Sequence, residues 1–185
     1  TAHSLDSNFK SKVMNALFAA GTLRIYKKNP VLAKTSAAKE ELRQLGVPHA
    51  VIAPVGLDTA VLKKNIPADE KMRLRKEHGF EADDVILCNV SRLSWEKRPL
   101  ELIDLFLQVK GKKKFKLIIV GNGPLEEELN EKIRKNGLEK EVKIYPNVPY
   151  EKMWEIYEMS DYYLNMNKGE IFGMAIMEAV YYKTS

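Results

Sequence analysis

The chain contains the stretch Lys116-Leu117-Ile118-Ile119-Val120-Gly121-Asn122-Gly123-Pro124, in which a short apolar run leads through two glycines to a proline. A run of this length and composition predicts a buried strand. Pro124 suits the first turn of a helix, which we expect over Leu125–Lys135 with Gly137 as its C-terminal cap. Strand, turn and helix in this order form the repeating unit of a parallel sheet.

The same alternation continues on both sides of this unit. Further strands are expected at Val85–Val90, Val142–Tyr145 and Tyr162–Met166, and further helices at Pro99–Lys110 and Glu151–Met159. This order predicts an α/β fold, a Rossmann-like parallel sheet with helices on both faces. Ligands of such sheets bind at the carboxyl ends of the strands, so functional residues should follow each strand directly.

The first part of the chain has a different pattern. Apolar spacing predicts a helix over Asp6–Ala20, a short strand over Val31–Thr35, and a second helix capped by Ser36. The stretch Val51–Asp58, broken by proline and glycine, is typical of a linker. We therefore divide the chain into residues 1–50, the tail of one domain, residues 51–68, a linker, and residues 69–185, the parallel-sheet domain.

Composition limits the class of protein without naming it. A net charge of +5 suits an anionic ligand or an acidic membrane surface. The single cysteine, Cys88, excludes an internal disulfide and lies in an apolar run, which predicts a small buried side chain. The start, Thr1-Ala2-His3-Ser4, has neither an initiator methionine nor a signal-peptide pattern, so we expect a fragment.

The C-terminal segment carries the strongest site pattern. A helix is expected from about Gly173, and the free N–H groups of Met174 and Ala175 at its start would suit a phosphate. Glu178 lies one turn further in an otherwise apolar run, where a buried carboxylate needs hydrogen-bond donors such as ribose hydroxyls. The alternative is that Glu178 faces solvent. Glu170 precedes the helix and would face sugar hydroxyls or carry a proton, because it would repel phosphate.

Two further loops follow strands. Arg92 and Lys97 flank the loop after Val85–Val90 and could together hold one anion, although two such residues can equally be solvent-exposed. The turn Gly121-Asn122-Gly123 resembles a dinucleotide fingerprint only in part, because the third glycine is absent and three glutamates follow. We interpret it as a tight turn that lets other groups approach. No spacing of His, Cys or carboxylates predicts a metal site.

Together these motifs resemble the large group of retaining glycosyltransferases of GT-B architecture, family 4. The resemblance runs from about Lys34 to the last residue. It depends on the Glu-x7-Glu signature from Glu170 to Glu178 with Phe172 and Gly173 inside it, on Arg92-Leu93 followed by Lys97, and on the glycine turn. Two departures are Asn147, where a glycine is expected, and Asn165-Met166-Asn167, which replaces Pro-Ser.

The resemblance implies roles for these positions. Arg92 and Lys97 would bind the donor diphosphate and act with Glu170, which would contact the transferred sugar, as the catalytic set. Met174 and Ala175 would bind the diphosphate through backbone N–H groups, and Gly173 and Phe172, from the same signature, would belong to the donor-binding residues. Glu178 would hold the ribose, and the base would lie near Asn147 and Val148. Retention of configuration, and a donor site that needs no metal or other cofactor, are also implied.

The implied function is transfer of a sugar from a UDP-, GDP- or ADP-linked donor to a glycan or lipid-linked acceptor. Acceptor contacts would come from an N-terminal domain that this chain largely lacks. Such enzymes of polysaccharide biosynthesis are expected in the cytoplasm, with peripheral contact to the inner face of the membrane as an open alternative. Two other functions stay open, a nucleotide-sugar epimerase of similar fold and a non-catalytic nucleotide-binding module. Nucleic-acid binding is disfavoured because no aromatic stacking platform accompanies the diffuse positive charge.

Overall fold

A computed structural model describes residues 18–53, 56–60, 62–63, 65–111, 113–167 and 173–184. The chain forms two compact units, Thr1–Gly56 and Leu57–Ser185. The boundary between them lies within the stretch predicted as a linker.

The first unit is small. Residues 18–26 are helical (α1), followed by strand β1 (Leu32–Ala33), helix α2 (Ser36–Gln44) and strand β2 (Val51–Ile52). The two strands pair in parallel around a core of Val31, Val47 and Ala50. The helix predicted over Asp6–Ala20 lies mostly outside the described residues. The predicted cap at Ser36 is wrong by one residue, because the Thr35 hydroxyl accepts a hydrogen bond from the Ala38 N–H at 3.0 Å and Ser36 is already helical.

The second unit contains the predicted alternation of strands and helices. In chain order its elements are α3 (Glu70–Glu77), β3 (Val85–Val90), α4 (Pro99–Val109), β4 (Phe115–Val120), α5 (Glu126–Lys135), β5 (Val142–Tyr145), α6 (Met153–Met159), β6 (Tyr162–Tyr163) and α7 (Met174–Tyr181). Two single turns of 3-10 helix, Trp95–Lys97 and Tyr150–Lys152, precede α4 and α6.

The four strands of this unit form one parallel sheet in the order β5-β4-β3-β6. The pairing of β3 with β4 extends over six residues, from Val85 opposite Phe115 to Val90 opposite Val120. Alternate side chains of a strand point to opposite faces. Ile86 and Cys88 accordingly pack in a cluster with residues of α3, α6 and α7, whereas Leu87 packs with residues of α4 and α5. The predicted α/β fold with helices on both faces is confirmed.

Some boundaries and one element differ from the sequence prediction. Strand β6 pairs with β3 only through Tyr162 and Tyr163, where a strand to Met166 was expected. Beyond this point the Asn89 side chain donates to the Leu164 carbonyl at 2.7 Å, so a side chain replaces the next step of the ladder. Pro124 lies in the turn before α5 rather than in its first helical turn. Helix α3 was not predicted.

Helix α3 is held to the sheet by a buried arginine. The Arg75 guanidinium donates to the carbonyl oxygens of Met159 and Asp84, at 3.0 and 3.1 Å, and to the Asp161 carboxylate. Asp161 in turn accepts a hydrogen bond from the Ile86 N–H at the start of β3. These contacts lie at the amino ends of the strands and stabilise the fold at the edge away from the candidate site.

Within the described part of the chain, no helix is both long and apolar enough to cross a membrane.

Candidate functional site

The candidate site lies where the four parallel strands end. All strands point the same way, so the segments that follow β3, β4, β5 and β6 emerge at one edge of the sheet. These segments contain the residues predicted to bind a ligand, including Arg92, Asn147 and Gly173. The fold therefore brings to one edge groups as distant in the sequence as Arg92 and Gly173, which are 81 positions apart.

The glycine turn after β4 lets two backbone segments meet. A Cβ atom on Gly121 would lie 2.0 Å from the Ser91 carbonyl oxygen, and one on Gly123 would lie 2.4 Å from the carbonyl oxygen of Leu93. The Leu93 N–H donates to the Asn122 carbonyl at 2.8 Å, which closes this contact. The predicted tight turn is confirmed, and the group that approaches is the backbone of the loop after β3.

Three asparagines connect the loops at this edge. In β3, Asn89 is buried; its amide donates to the Leu164 carbonyl, and its oxygen accepts from the Ser91 hydroxyl at 2.9 Å. On the other side, the Asn122 amide donates to the Asn147 side-chain oxygen at 2.8 Å. Asn147 stands where the family resemblance led us to expect a glycine, and its side chain instead accepts a hydrogen bond from the turn after β4. Beyond the paired residues, the side-chain amide of Asn89 therefore joins β3 to the segment after β6. The side-chain amide of Asn122 likewise joins the segment after β4 to the segment after β5.

Arg92 and Lys97 lie in the loop after β3, as predicted. The loop forms the 3-10 turn Trp95–Lys97, and Arg98 adopts left-handed backbone angles (φ 56°) that place Pro99 as the first residue of α4. Arg92 is exposed and Lys97 is partly buried.

A carboxylate that the sequence reasoning did not consider lies with these cations. The Ser94 hydroxyl, the Glu96 backbone N–H and the positive charges of Arg92 and Lys97 together lower the pKa of Glu96. Glu96 is therefore ionised at neutral pH, and its negative charge offsets part of the positive charge of the loop.

Helix α7 begins as predicted. Gly173 is its N-cap with extended backbone angles, and Met174 and Ala175 are its first helical residues. The N–H groups of the first residues of a helix have no acceptor within that helix, so they stay available to a ligand. Glu170 and Phe172 lie outside the described residues, and their predicted contacts with the donor remain predictions.

Glu178 is buried, with 7% of its surface exposed, so the alternative that it faces solvent is wrong. Its Oε2 atom accepts a hydrogen bond from the Tyr157 hydroxyl at 2.7 Å. A second phenol, Tyr150, is close enough that its pKa is raised, by partial burial first and by the charge of Glu178 next. Tyr150 is the first residue of the turn that enters α6, and it lines a narrow depression together with Glu178.

Tyr157 is the partner of Glu178 that sequence reasoning missed. It lies on α6, 21 positions before Glu178, and is fully buried. A tyrosine in an apolar helical stretch gives no sequence signal beyond that of an ordinary core residue, because its partner is set by the packing of α6 against α7.

The sequence model of the family "Glycosyl transferases group 1" matches residues 70–185, which is most of the second unit. The chain therefore belongs to the glycosyl transferases group 1. The predicted family resemblance is confirmed at this level.

The group 1 relatives are distant and longer than this chain. Alpha-monoglucosyldiacylglycerol synthase of Streptococcus pneumoniae is 23% identical over 70% of this chain and 30% of its own length. An uncharacterized glycosyltransferase of Methanocaldococcus jannaschii is 23% identical over 89% of this chain and 43% of its own length. The chain thus spans less than half the length of these curated relatives.

Solved structures show the same fold. The crystal structure of Anabaena HepE in complex with UDP and glucose superposes with a TM-score of 0.69, at 24% identity, over 83% of this chain and 42% of HepE. WaaG, a glycosyltransferase of lipopolysaccharide biosynthesis, gives a TM-score of 0.68 at 16% identity over 80% of this chain and 41% of WaaG. This group 1 chain therefore has the α/β fold of GT-B glycosyltransferase domains.

Proposed function

We propose that this chain provides the nucleotide-sugar-binding site of a glycosyltransferase that moves a sugar from a nucleoside diphosphate donor to a glycan or lipid-linked acceptor. The observation that carries the proposal is the common location of a cationic loop, a helix start and a buried carboxylate at the carboxyl edge of one parallel sheet. Membership in the glycosyl transferases group 1 supports it.

In this proposal the diphosphate lies between the loop after β3 and the start of α7. Arg92 offers a planar fork for phosphate oxygens and Lys97 a point charge. The N–H groups of Met174 and Ala175 and the positive end of the helix dipole add uncharged donors on the other side. Because β3 pairs with β6, the loop after β3 and the segment that leads to Gly173 leave the sheet as neighbours.

The nucleoside part of the donor would lie beside the diphosphate, at the same edge of the sheet. Ribose hydroxyls are hydrogen-bond donors, and the buried carboxylate of Glu178 is an acceptor that benefits from them. The base would lie near Asn147 and Val148, which follow β5. Solved structures with this fold support a uracil nucleotide, since HepE was crystallised with UDP and with UDP-glucose, and pneumococcal GtfA with UDP and GlcNAc.

The chemistry required of these residues is stabilisation of a leaving group. An acceptor hydroxyl forms a new bond to the anomeric carbon, the bond from that carbon to the phosphate oxygen breaks, and its electron pair stays on the diphosphate. The proton of the acceptor hydroxyl passes to the departing phosphate or to solvent. Arg92 and Lys97 would stabilise the negative charge that develops on the diphosphate. We expect Glu170 to contact the transferred sugar, retention of configuration, and no metal requirement.

Isothermal titration of the chain with UDP, GDP and ADP, each with and without EDTA, tests the donor site. Saturable binding of one nucleotide that EDTA does not change supports it, and absence of binding by a chain with intact circular dichroism contradicts it. Transfer itself is tested by incubation with a nucleotide sugar, with and without candidate acceptors, and measurement of the free nucleoside diphosphate. Release only with an acceptor supports transfer, whereas conversion of the free nucleotide sugar would identify an epimerase.

A further inference from the structure

The buried carboxylate of Glu178 is held by a neighbouring side chain before any ligand binds. Its Oε2 atom accepts the Tyr157 hydroxyl at 2.7 Å, a short distance typical of a hydrogen bond to a charged oxygen. Both residues are buried, Glu178 with 7% and Tyr157 with 1% of its surface exposed. Away from water, a hydrogen bond of this kind determines which way the carboxylate points.

The Tyr157 ring is itself fixed by packing that does not need its hydroxyl. It stacks on Tyr182 with ring centres 5.8 Å apart and planes 10° from parallel, and it contacts Tyr163 at a centre distance of 6.5 Å. The Tyr182 hydroxyl accepts the backbone N–H of Lys63 at 3.0 Å. The Thr184 hydroxyl also donates to the Tyr157 carbonyl at 3.0 Å, which ties α6 to the end of α7.

One phenol satisfies only part of this carboxylate. An ionised carboxyl group has two oxygens with about four acceptor positions. The Tyr157 bond uses one of them, and the Tyr150 hydroxyl interacts with a second, so about half stay open to a ligand. The carboxylate lines the same narrow depression as Tyr150, which is 48% exposed and stands at the entrance of α6. A ligand hydroxyl that approaches from this side would meet the Glu178 carboxylate in the orientation that the Tyr157 hydrogen bond sets.

We propose that Tyr157 is a positioning residue, which orients Glu178 so that its unused acceptor positions face the ribose hydroxyls of the nucleotide. The proposal rests on the donor-site function above. Preorganisation of this kind raises affinity because the bound geometry costs no further ordering of the side chain. Tyr157 does not touch the ligand and acts only through Glu178.

The test compares binding of UDP with that of 2′,3′-dideoxy-UDP, by titration of the full chain. The native chain should bind UDP about tenfold more tightly, because the analogue lacks the two hydroxyls that Glu178 would accept. Tyr157→Phe keeps the ring and its stacking, and should reduce this preference to about threefold or less while leaving affinity for the dideoxy analogue unchanged. Tyr145→Phe is the matched control, since it removes a phenol hydroxyl that is bonded to His78 instead.

The possible results separate the two proposals. If the native chain and Tyr157→Phe prefer UDP to the same degree, the positioning role is overturned and the donor site stands. If the native chain binds both ligands equally, Glu178 does not hold the ribose, and both the donor-site assignment of Glu178 and the role of Tyr157 fail. Coupling gives a second measure: adding Tyr157→Phe to Glu178→Gln should cause no further loss of UDP affinity, and independent, additive losses would also overturn the role.

Discussion

The Arg75 guanidinium and the Asp161 carboxylate form an ion pair, with Nη2 and Oδ2 2.7 Å apart, that joins α3 to the start of β6. Arg75 is 4% exposed, and Asp161 also pairs with Lys71 at 2.8 Å. Removal of one partner of a buried ion pair is costly, because the other charge stays buried without compensation. This relationship makes the amino edge of the sheet sensitive to single substitutions.

Asp161→Asn should destabilise the second unit by about 2–4 kcal/mol at pH 7. Burial alone would raise the pKa of Asp161, but the hydrogen bond from Lys71, the Ile86 N–H and the charges of Lys71 and Arg75 lower it overall. A carboxylate with a lowered pKa stabilises the fold above about pH 3.9, its usual pKa, and this stability is lost as the pH falls further. Urea unfolding at pH 7 and at pH 3 should therefore show a smaller acid loss in the variant than in the native chain.

Asp83→Asn is the control for that experiment, since Asp83 pairs with Lys114 at 2.8 Å on the surface, where both side chains are largely exposed. Such an exposed pair contributes little to stability, because water screens the attraction and both side chains lose conformational freedom when they pair. Equal effects of the two substitutions would show that the Arg75 cluster, which consists of Arg75, Lys71 and Asp161, does not hold α3 to the sheet.

Gly121→Ala should cost about 3 kcal/mol or more, because the new methyl group would overlap the Ser91 carbonyl at 2.0 Å and the residue has a φ of 136°. The overlap is with a backbone atom, which cannot move away by a change of side-chain rotamer. Gly137→Ala offers a matched control, since its φ is 59° but its Cβ would meet nothing within 4 Å, so only the backbone cost of about 1–2 kcal/mol applies. Thermal unfolding of both variants measures the difference, and similar melting temperatures would contradict the close approach.

Arg92→Ala and Lys97→Ala should each weaken UDP binding by about 1–3 kcal/mol while leaving uridine binding almost unchanged, because their proposed partner is the diphosphate. The loss should be smaller at high salt, since exposed charges are screened. Lys140→Ala is a control of equal charge, as Lys140 precedes β5 at the other edge of the sheet. Titration with both ligands decides the matter, and equal losses for uridine and UDP would place these cations away from the phosphates.

Glu178→Gln should weaken UDP binding by about 1–3 kcal/mol, because a neutral amide oxygen is a poorer acceptor for ribose hydroxyls than a carboxylate. The substitution keeps the size of the side chain and an oxygen for Tyr157. Glu139→Gln, at an exposed position, controls for the change in net charge. Unchanged affinity in a folded Glu178→Gln chain would assign this carboxylate to the core alone.

Cys88 should not react with thiol reagents while the chain is folded. It is fully buried in β3, and burial raises the pKa of its thiol to about 12, so almost no thiolate exists at neutral pH. Labelling with a maleimide at pH 7 should therefore follow the unfolding curve in urea. Rapid labelling without denaturant would show that β3 opens readily.

Much of the sheet domain could be predicted because its signals are local. The two central strands, β3 and β4, are mostly apolar runs, and the helix starts at Pro99 and Gly173 are marked by residues suited to these positions. The edge at which functional residues meet then follows from parallel order alone. The glycine turn is also a local signal in the sequence, although the contact that requires glycines there is with the backbone of Ser91 and Leu93 in the loop after β3.

The parts that were missed depend on contacts between distant segments. Helix α3 reads Glu-Lys-Met-Arg-Leu-Arg-Lys-Glu, and one of its two buried residues is Arg75, which no apolar pattern would place inside. The pairing of Tyr157 with Glu178 joins two helices separated by a strand. The shortening of β6 follows from the side chain of Asn89, which bonds across to a residue 75 positions later.

The Arg75 cluster also bears on the order in which the domain can form. The Ile86 N–H and Asp161 are 75 positions apart, and Arg75 and Asp161 are 86 apart, so these bonds close long loops whose entropy must be lost before the contacts form. During synthesis β3 and β4 can pair early, but α3 has no carboxylate to hold it until residue 161 has left the ribosome. A nascent chain halted before that point would hold a partial sheet with one open edge and an arginine that lacks its carboxylate partner, and such open edges favour aggregation.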